Sequence, residues 1–331
     1  LTIADVVLRD NSAQGDGGAV YNKQGAVTVV NSTLYANSAG VWGGAIYNEA
    51  ASVLTASDSV FANNEAVSRG GAVYNLGTLT VDDSTFNGNT AMLSTSYGGG
   101  VANLNGATAR IVGSLFTGNR AAYGGGVFAS QNTSVAVANS VVSGNHAHYF
   151  GGGLLNYNNS VMTVVNTTVA SNNAGQNGGG IYCPTSSQLT VQNSIVALNT
   201  AGSTPNVYGT LHVASRHNLI GDDPRFLRNP NNGGDGWGDN PATPDVDESV
   251  NDDYGDLRLY LDSPAINAGN NALAVRPGGV ALSVDVLGQQ RIVYDVVDAG
   301  ANELQQVTLP GDANGDNIVN EGDAAVMAEN W

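Results

Sequence analysis

The chain has 331 residues, of which 44 are glycine, 42% are hydrophobic and 12% are charged; this excludes a mainly helical protein and, with no Gly-X-Y period, a collagen. Its 28 acidic against 11 basic residues give a formal charge of −17, which repels phosphate backbones and anionic membranes and argues against nucleic-acid binding, while suiting an exported, calcium-rich or salty setting. Cys183 alone permits no intrachain disulfide, and no apolar run is long enough to span a bilayer.

The opening stretch, 1-LTIADVVLRDNSA-13, already reads as the middle of a repeat, so an export signal or an earlier coil is expected ahead of it. GGAVYN at 17–22 then returns as GGAIYN at 43–48, GGAVYN at 70–75, GGGVAN at 98–103, GGGVFA at 124–129, GGGLLN at 151–156 and GGGIYC at 178–183. A second phrase alternates apolar and polar residues, as in 27-VTVVNST-33, 79-LTVDDST-85, 135-VAVANSV-141 and 189-LTVQNSI-195. The third places asparagine after an apolar residue: 34-LYANSA-39, 86-FNGNTA-91, 116-FTGNRA-121, 142-VSGNHA-147 and 196-VALNTA-201.

Self-similarity at a fixed period marks a solenoid. Each phrase is short, β-branched and period-two, so each predicts a strand, three to a coil. One coil cannot bury its own apolar face; stacked coils can. Val29, Ala56, Val81, Ile111, Val137, Val164 and Val191 then lie above one another inside a column, each coil rising about 4.8 Å. The expected fold is all-β, a right-handed parallel β-helix of coils near 27 residues, the hand following the rule for parallel connections. A leucine-rich-repeat horseshoe has a comparable period, but its leucine consensus is absent.

The polar repeats fit the same stacking. Asn11, Asn37, Asn64, Asn89, Asn119, Asn145, Asn172 and Asn199 form one column; Asn22, Asn48, Asn75, Asn103 and Asn156 form another, interrupted by Ala129 and Cys183. Stacked amides donate and accept along the axis, which is preferred here over a row of sugar-binding amides. Cys183, standing in an asparagine column, reads as a buried small residue. The double glycine supplies a tight corner; no helix follows it to cradle a phosphate. Tyr21, Tyr47, Tyr74, Phe128 and Tyr182 follow the inward apolar residue by one place, so alternation turns them outward, to stack on sugar rings or to meet another copy.

The pairing of GG[AG][IVL] with FxxN, as in 43-GGAI-46 with 61-FANN-64 and 98-GGGV-101 with 116-FTGN-119, resembles the repeat of polymorphic outer-membrane proteins and related bacterial surface β-helices. The resemblance covers about residues 1–201. It implies an extracellular passenger, adhesin or surface fibre, and no catalytic site.

Residues 202–256 break the rhythm and read as an irregular acidic loop region. Asp235, Asp239, Asp245, Asp247, Asp252 and Asp253 are candidates to share a calcium ion there, which takes oxygen ligands; a merely solvated loop is the alternative. Order returns over 257–306, where 257-LRLYLDSPAINAG-269 and 291-RIVYDVVDAGANE-303 resemble the ending of many bacterial surface β-helices, expected as last coils and a cap that protects the sheet edge.

Residues 307–331 carry a calcium-loop pattern. Asp312, Asn314 and Asp316 fall at loop positions 1, 3 and 5, with the Ile318 carbonyl at 7, Asn320 at 9 and Asp323 at 12. This resembles half of a dockerin type I repeat, an EF-hand-like loop with 322-GDAAVMAENW-331 as its helix. Gly315 stands one place earlier than the glycine of an ordinary EF-hand, and Asp323 replaces its bidentate Glu. The cofactor implied is Ca2+. The absent second half weakens the implied cohesin-like partner.

Parallel β-helices also host pectin lyases and polygalacturonases. Elimination needs an Arg or Lys base beside an acidic calcium cluster, and hydrolysis needs two or three close carboxylates. The body offers Asp58, Asp82 and Asp83, scattered Arg69, Arg110 and Arg120, and His146 with His148. Asp58 and Asp83 align with Asn31, Asn139, Asn166 and Asn193, so they read as substitutions within a structural corner column. The expectation is an extracellular structural or adhesive protein of a bacterial surface, self-associating or meeting another surface protein through calcium-dependent contacts, and not an enzyme. The alternative is a β-helix that binds or degrades polysaccharide.

Overall fold

Alternation of apolar and small polar residues builds the longest strands. In Val53–Ser57, Leu54 and Ala56 are buried while Val53, Thr55 and Ser57 turn outward, and the same pattern recurs in Thr78–Asp82 and Gln188–Gln192. The computed structural model describes residues 1–228, 256–259, 262–292 and 296–303. Within them the chain winds through about eight coils of a parallel β-solenoid. Sheet A stacks eight strands, from Thr2–Ala4 to Gln188–Gln192; sheet B stacks nine, from Val7–Arg9 to Leu219–Ile220. Sheets C and D stack eight each, ending at Thr200–Ser203 and Val207–Tyr208. Register is held by the repeat: Val29 pairs Ala56, Ala56 pairs Val81, and Val81 pairs Ile111.

Each coil has four strands, not the three expected. The third phrase divides, as in Val60–Ala62 and Glu65–Ala66. The residue before the buried asparagine adopts a left-handed backbone, with φ of 51° at Ala36, 53° at Asn63 and 63° at Gly88. A strand cannot continue through that conformation. The corner joining sheets A and B is likewise left-handed, at Asn31, Asp58, Asp83, Asn139, Asn166 and Asn193, with φ between 45° and 49°. Asp58 and Asp83 therefore do substitute for asparagine in a corner column, where a short polar side chain tolerates this geometry.

The interior is an apolar column with polar seams. Phe61, Phe86 and Phe116 stack face to face at 4.5 and 4.6 Å, among fully buried Leu34, Val81, Ile111, Val142 and Val169. Along the first asparagine column, Asn37 Nδ2 donates to Asn64 Oδ1 at 2.9 Å and the Asn37 N–H donates to the same oxygen at 3.0 Å. Asn64 Nδ2 also donates to the Leu34 carbonyl at 2.9 Å, and the seam continues to Asn199. The second column runs from Asn22 to Asn103 with amide bonds of 2.5 to 2.7 Å. It stops at Ala129 and resumes with Asn156 donating to Cys183 Sγ at 3.4 Å, which accounts for a buried cysteine in that column.

A third seam escaped the reading of the sequence. Ser32, Ser59, Ser84, Ser114 and Ser140 line the A–B corner, the backbone N–H of each of the first four donating to the serine hydroxyl of the next coil at 3.1 to 3.2 Å. Each hydroxyl donates in turn to the carbonyl two residues back, as Ser59 does to Ser57. The only signal was the serine after the corner residue, and serine is too ordinary at turns to stand out.

Gly43 and Gly44 show why the corner phrase repeats. Gly43 has φ of 67°, which favours glycine. A Cβ on Gly44 would lie 2.6 Å from the Glu65 N and run into the Gly71 carbonyl, so two backbones pass too close for any side chain.

The described parts of 256–303 add no strand to the four stacked sheets. Asp256–Leu259 pairs antiparallel with Phe226–Arg228. Leu257, Leu259, Ala265, Ala299 and Ala301 then cover the outer face of sheet B at Val141, Ala170, Ile195, Ala197 and Leu219. Ala301 N donates to Thr168 Oγ1 at 3.0 Å, and Asn193 exchanges two bonds of 2.9 Å with Asn270. Outward valine, isoleucine and alanine on the later coils make that flank apolar, which is why the segment lies along the side.

Inside this flank Arg291 is fully buried. Its guanidinium donates to the carbonyls of Ala301 at 2.8 Å and Gly300 at 2.5 Å, with the Glu303 carboxylate 3.9 Å away. Burial lowers its pKa, opposed by Glu303, Asp285 and Asp298. Asp285 in turn accepts from Leu287 N, Gln289 N and Glu303 N.

Candidate functional site

The double-glycine corner sets the geometry of one face. The residue just before each corner bridges to its counterpart in the next coil, Trp42 to Arg69, Arg69 to Tyr97, and Tyr97 to Tyr123. The left-handed first glycine folds this row back over sheet D. Trp42 lies 5.2 Å from Tyr74, Tyr97 lies 4.7 Å from Phe128, and Phe150 lies 4.7 Å from Tyr182, centroid to centroid. Two aromatic rows thus interleave, one from each side of the glycines.

Tyr21, Tyr47, Tyr74, Phe128 and Tyr182 do leave the main core, and most of them join a separate cluster. They are not uniformly open. Tyr21 is 46% exposed, but Tyr47, Tyr74 and Phe128 are 5%, 1% and 4% exposed, and Tyr182 is half-buried. Alternation predicted their direction correctly and missed the second row above them, whose signal was the aromatic preceding the glycines at Trp42, Tyr97, Tyr123 and Phe150. Burial raises the Tyr47 phenol well above the usual range, with Tyr21 and Tyr74 adding to it. Burial likewise raises Tyr74, although a hydrogen bond from Arg69 opposes this.

Where Leu155 stands in place of a ring, a cleft of about 430 Å³ opens. Tyr97, Tyr123 and Phe150 form one wall, and Phe128 and Leu155 the floor. Leu104 and Ser130, at the ends of sheet D strands, and Gln131, Tyr157 and Asn158, from the turns that lead into sheet A, form the other wall. Gln131 and Asn158 hold left-handed turn conformations, φ 66° and 56°. Arg69 closes one end, its Nη1 donating to the Tyr74 hydroxyl at 3.3 Å and its guanidinium 5.4 Å from the rings of both Trp42 and Tyr97. Among the described residues no carboxylate and no histidine lines this cleft.

A shallower depression of about 330 Å³ on sheet C gathers Arg120, His146 and His148 beside Met92 and Leu93. Burial lowers the His146 pKa, and Arg120 lowers it further against a hydrogen bond with Asn173, so this imidazole is neutral at pH 7. Burial also lowers the pKa of Arg120.

The carboxylates of the body are dispersed. Asp82 pairs with Arg110 at 2.6 Å. Partial desolvation raises the pKa of Asp83 at its corner, Arg276 and Arg110 opposing and Asp82 and Asp58 adding. Among the described residues no three His, Cys, Asp or Glu side chains converge as a metal site. The calcium candidates Asp312, Asn314, Asp316, Ile318, Asn320 and Asp323, and the second set Asp235, Asp239, Asp245, Asp247, Asp252 and Asp253, lie outside the described residues.

Fold and face together define a class: a parallel β-solenoid of near-uniform coils, carrying an aromatic cleft on one flank. The family profile of the Chlamydia polymorphic membrane protein repeat matches residues 5–23 of this chain. A search among curated proteins finds no match. The matched segment spans one glycine corner and part of the coil before it, and the likeness together with the solenoid fits a surface protein of a bacterium. Among the described residues no helix is long and apolar enough to cross a membrane.

Proposed function

We propose that this chain is a non-enzymatic part of an extracellular bacterial surface protein. Its solenoid is a stiff spacer that presents adhesive flanks, and its acidic C-terminal region uses calcium to join copies of the chain or neighbouring surface proteins. The observation that carries this reading is the uniformity of the stack: four in-register sheets sealed by seams of asparagine and serine. Such a stack is quasi-one-dimensional, each coil held by its neighbours, and it is stable with no disulfide.

The chemistry of the flanks supports binding over cleavage. Hydrolysis of a glycoside needs paired carboxyls roughly 5–10 Å apart across the scissile bond, and among the described residues none stands in the walls of the cleft on sheet D. Asp82 is spent on Arg110, while Asp58 and Asp83 serve as corner residues. The charge of −17 keeps copies apart until a divalent ion neutralises it. Asp312, Asn314, Asp316, Asn320 and Asp323 supply oxygen donors at the spacing such an ion uses.

The experiment is light scattering of the purified chain in calcium and then in excess EGTA. A reversible rise in mass with calcium is expected, abolished in Asp312→Ala/Asp316→Ala. A chain that stays monomeric in calcium, or self-associates equally in EGTA, rules out the calcium-dependent part. Surface display is tested separately, by whether protease added to intact producing cells removes the protein.

A further inference from the structure

We propose that the cleft over Phe128 and Leu155 is a binding site for a neutral saccharide, taking one or two pyranose rings of a glycan. The proposal rests on the adhesive reading above and names the ligand class for it. At about 430 Å³ the cleft lies within the range of about 300–1,000 Å³ usual for small-ligand sites. Its walls match the two chemistries of a sugar. The faces of Tyr123, Phe150 and Tyr157 offer platforms for the C–H side of a ring. Gln131, Asn158 and Ser130 offer donors and acceptors for its hydroxyls.

Charge narrows the class. Among the described residues Arg69 is the one charged residue of the lining; its Nη1 donates to the Tyr74 hydroxyl, its guanidinium lies against the faces of Trp42 and Tyr97, and its Nε, which has no partner, is buried away from the opening. Among the described residues no other cation lines the walls to draw a uronate or sulfate into a chain of charge −17. A peptide in extended form would need an open strand edge. Sheet D offers none at this point, because Val101–Leu104 and Val127–Ser130 are paired on both sides.

The rings are also held in advance. Tyr97 lies 5.5 Å from Tyr123 and 4.7 Å from Phe128, and Tyr123 lies 5.1 Å from Tyr149. Rings locked by their neighbours lose little freedom when a ligand arrives, which favours binding.

The test is calorimetric titration of the full chain with cellohexaose, maltohexaose, xylohexaose and mannohexaose, beside hexagalacturonate. At least one neutral probe is expected to bind with Kd of about 1 mM or tighter, and the polyuronate not at all. Tyr157→Ala and Gln131→Ala should each weaken that binding about fivefold or more. Tyr35→Ala, on the outside of sheet B, should leave it unchanged, and circular dichroism confirms that all three variants remain folded. The proposal is overturned if no neutral probe binds, if both cleft variants bind as the parent does, or if only the polyuronate binds. A chain displayed on the cell that binds no probe sinks the saccharide site alone; a chain that binds but is never displayed sinks the surface reading alone.

Discussion

Asparagine at positions 37, 64 and 89 uses every hydrogen-bonding capacity of its amide, accepting two bonds and donating two within the stack. A buried amide left short of partners is costly, so the break in the second seam is informative. Ala129 offers no amide between Asn103 and Asn156, and Asn156 Oδ1 is buried with no partner. Ala129→Asn is expected to rejoin the seam, giving Asn103 Nδ2 an acceptor and Asn156 Oδ1 a donor, with a gain of about 1–2 kcal/mol. Urea denaturation reads this as a higher midpoint, and Ala129→Leu, of similar branched shape but larger and without the amide, should lower it. A lower midpoint for both would mean that the site has no room, and the seam argument would fail there. Both asparagine columns were visible in the sequence because asparagine is uncommon at fixed spacing. The serine seam was not, because serine at a turn carries no such signal.

Between residue and molecule stands the coil. Its inward residues were readable from period-two alternation, and the register of Val29, Ala56, Val81 and Ile111 follows that reading. The division of the third phrase was not readable, because the left-handed corner is occupied by Ala36, Asn63, Gly88, Ser171 and Leu198 in different coils, with no shared residue type to mark it. The aromatic cleft was half legible: the sheet D row could be placed, but the row before the glycines gains meaning only once the corner folds it back. Coils depend on neighbours, so damage to one should spread by contact. Phe86 stacks between Phe61 and Phe116, and Phe86→Ala is expected to cost about 3–5 kcal/mol. Amide exchange should quicken most in coils holding Phe61, Phe86 and Phe116, and least near Val191. Uniform acceleration over the whole stack would instead show one cooperative unit.

For the whole molecule, the described parts of 256–303 lie along the flank of sheet B. The repeat signal had ended, and only the outward apolar residues of sheet B could have shown where the segment would rest. Ile195 is the hinge of that contact. It is 1% exposed, and a Cβ on Gly300 would meet its Cδ1 at 2.8 Å and Thr168 Oγ1 at 2.9 Å, so the two surfaces touch without a gap. Its side chain lies outside the main core, whereas Val196, the next residue, points into it. Ile195→Asp therefore places a charge against Ala299 and Ala301 without entering the solenoid interior. A buried carboxylate with no partner is avoided by exposure, and the cheapest exposure is to release the flank. Amides of 263–292 and 296–303 are expected to exchange faster and to become open to protease, while sheets A, C and D keep their protection. Loss of protection throughout the coils would show that the flank and the stack fold as a single unit, and that the side-on segment is a structural partner of the solenoid and not a separable cover.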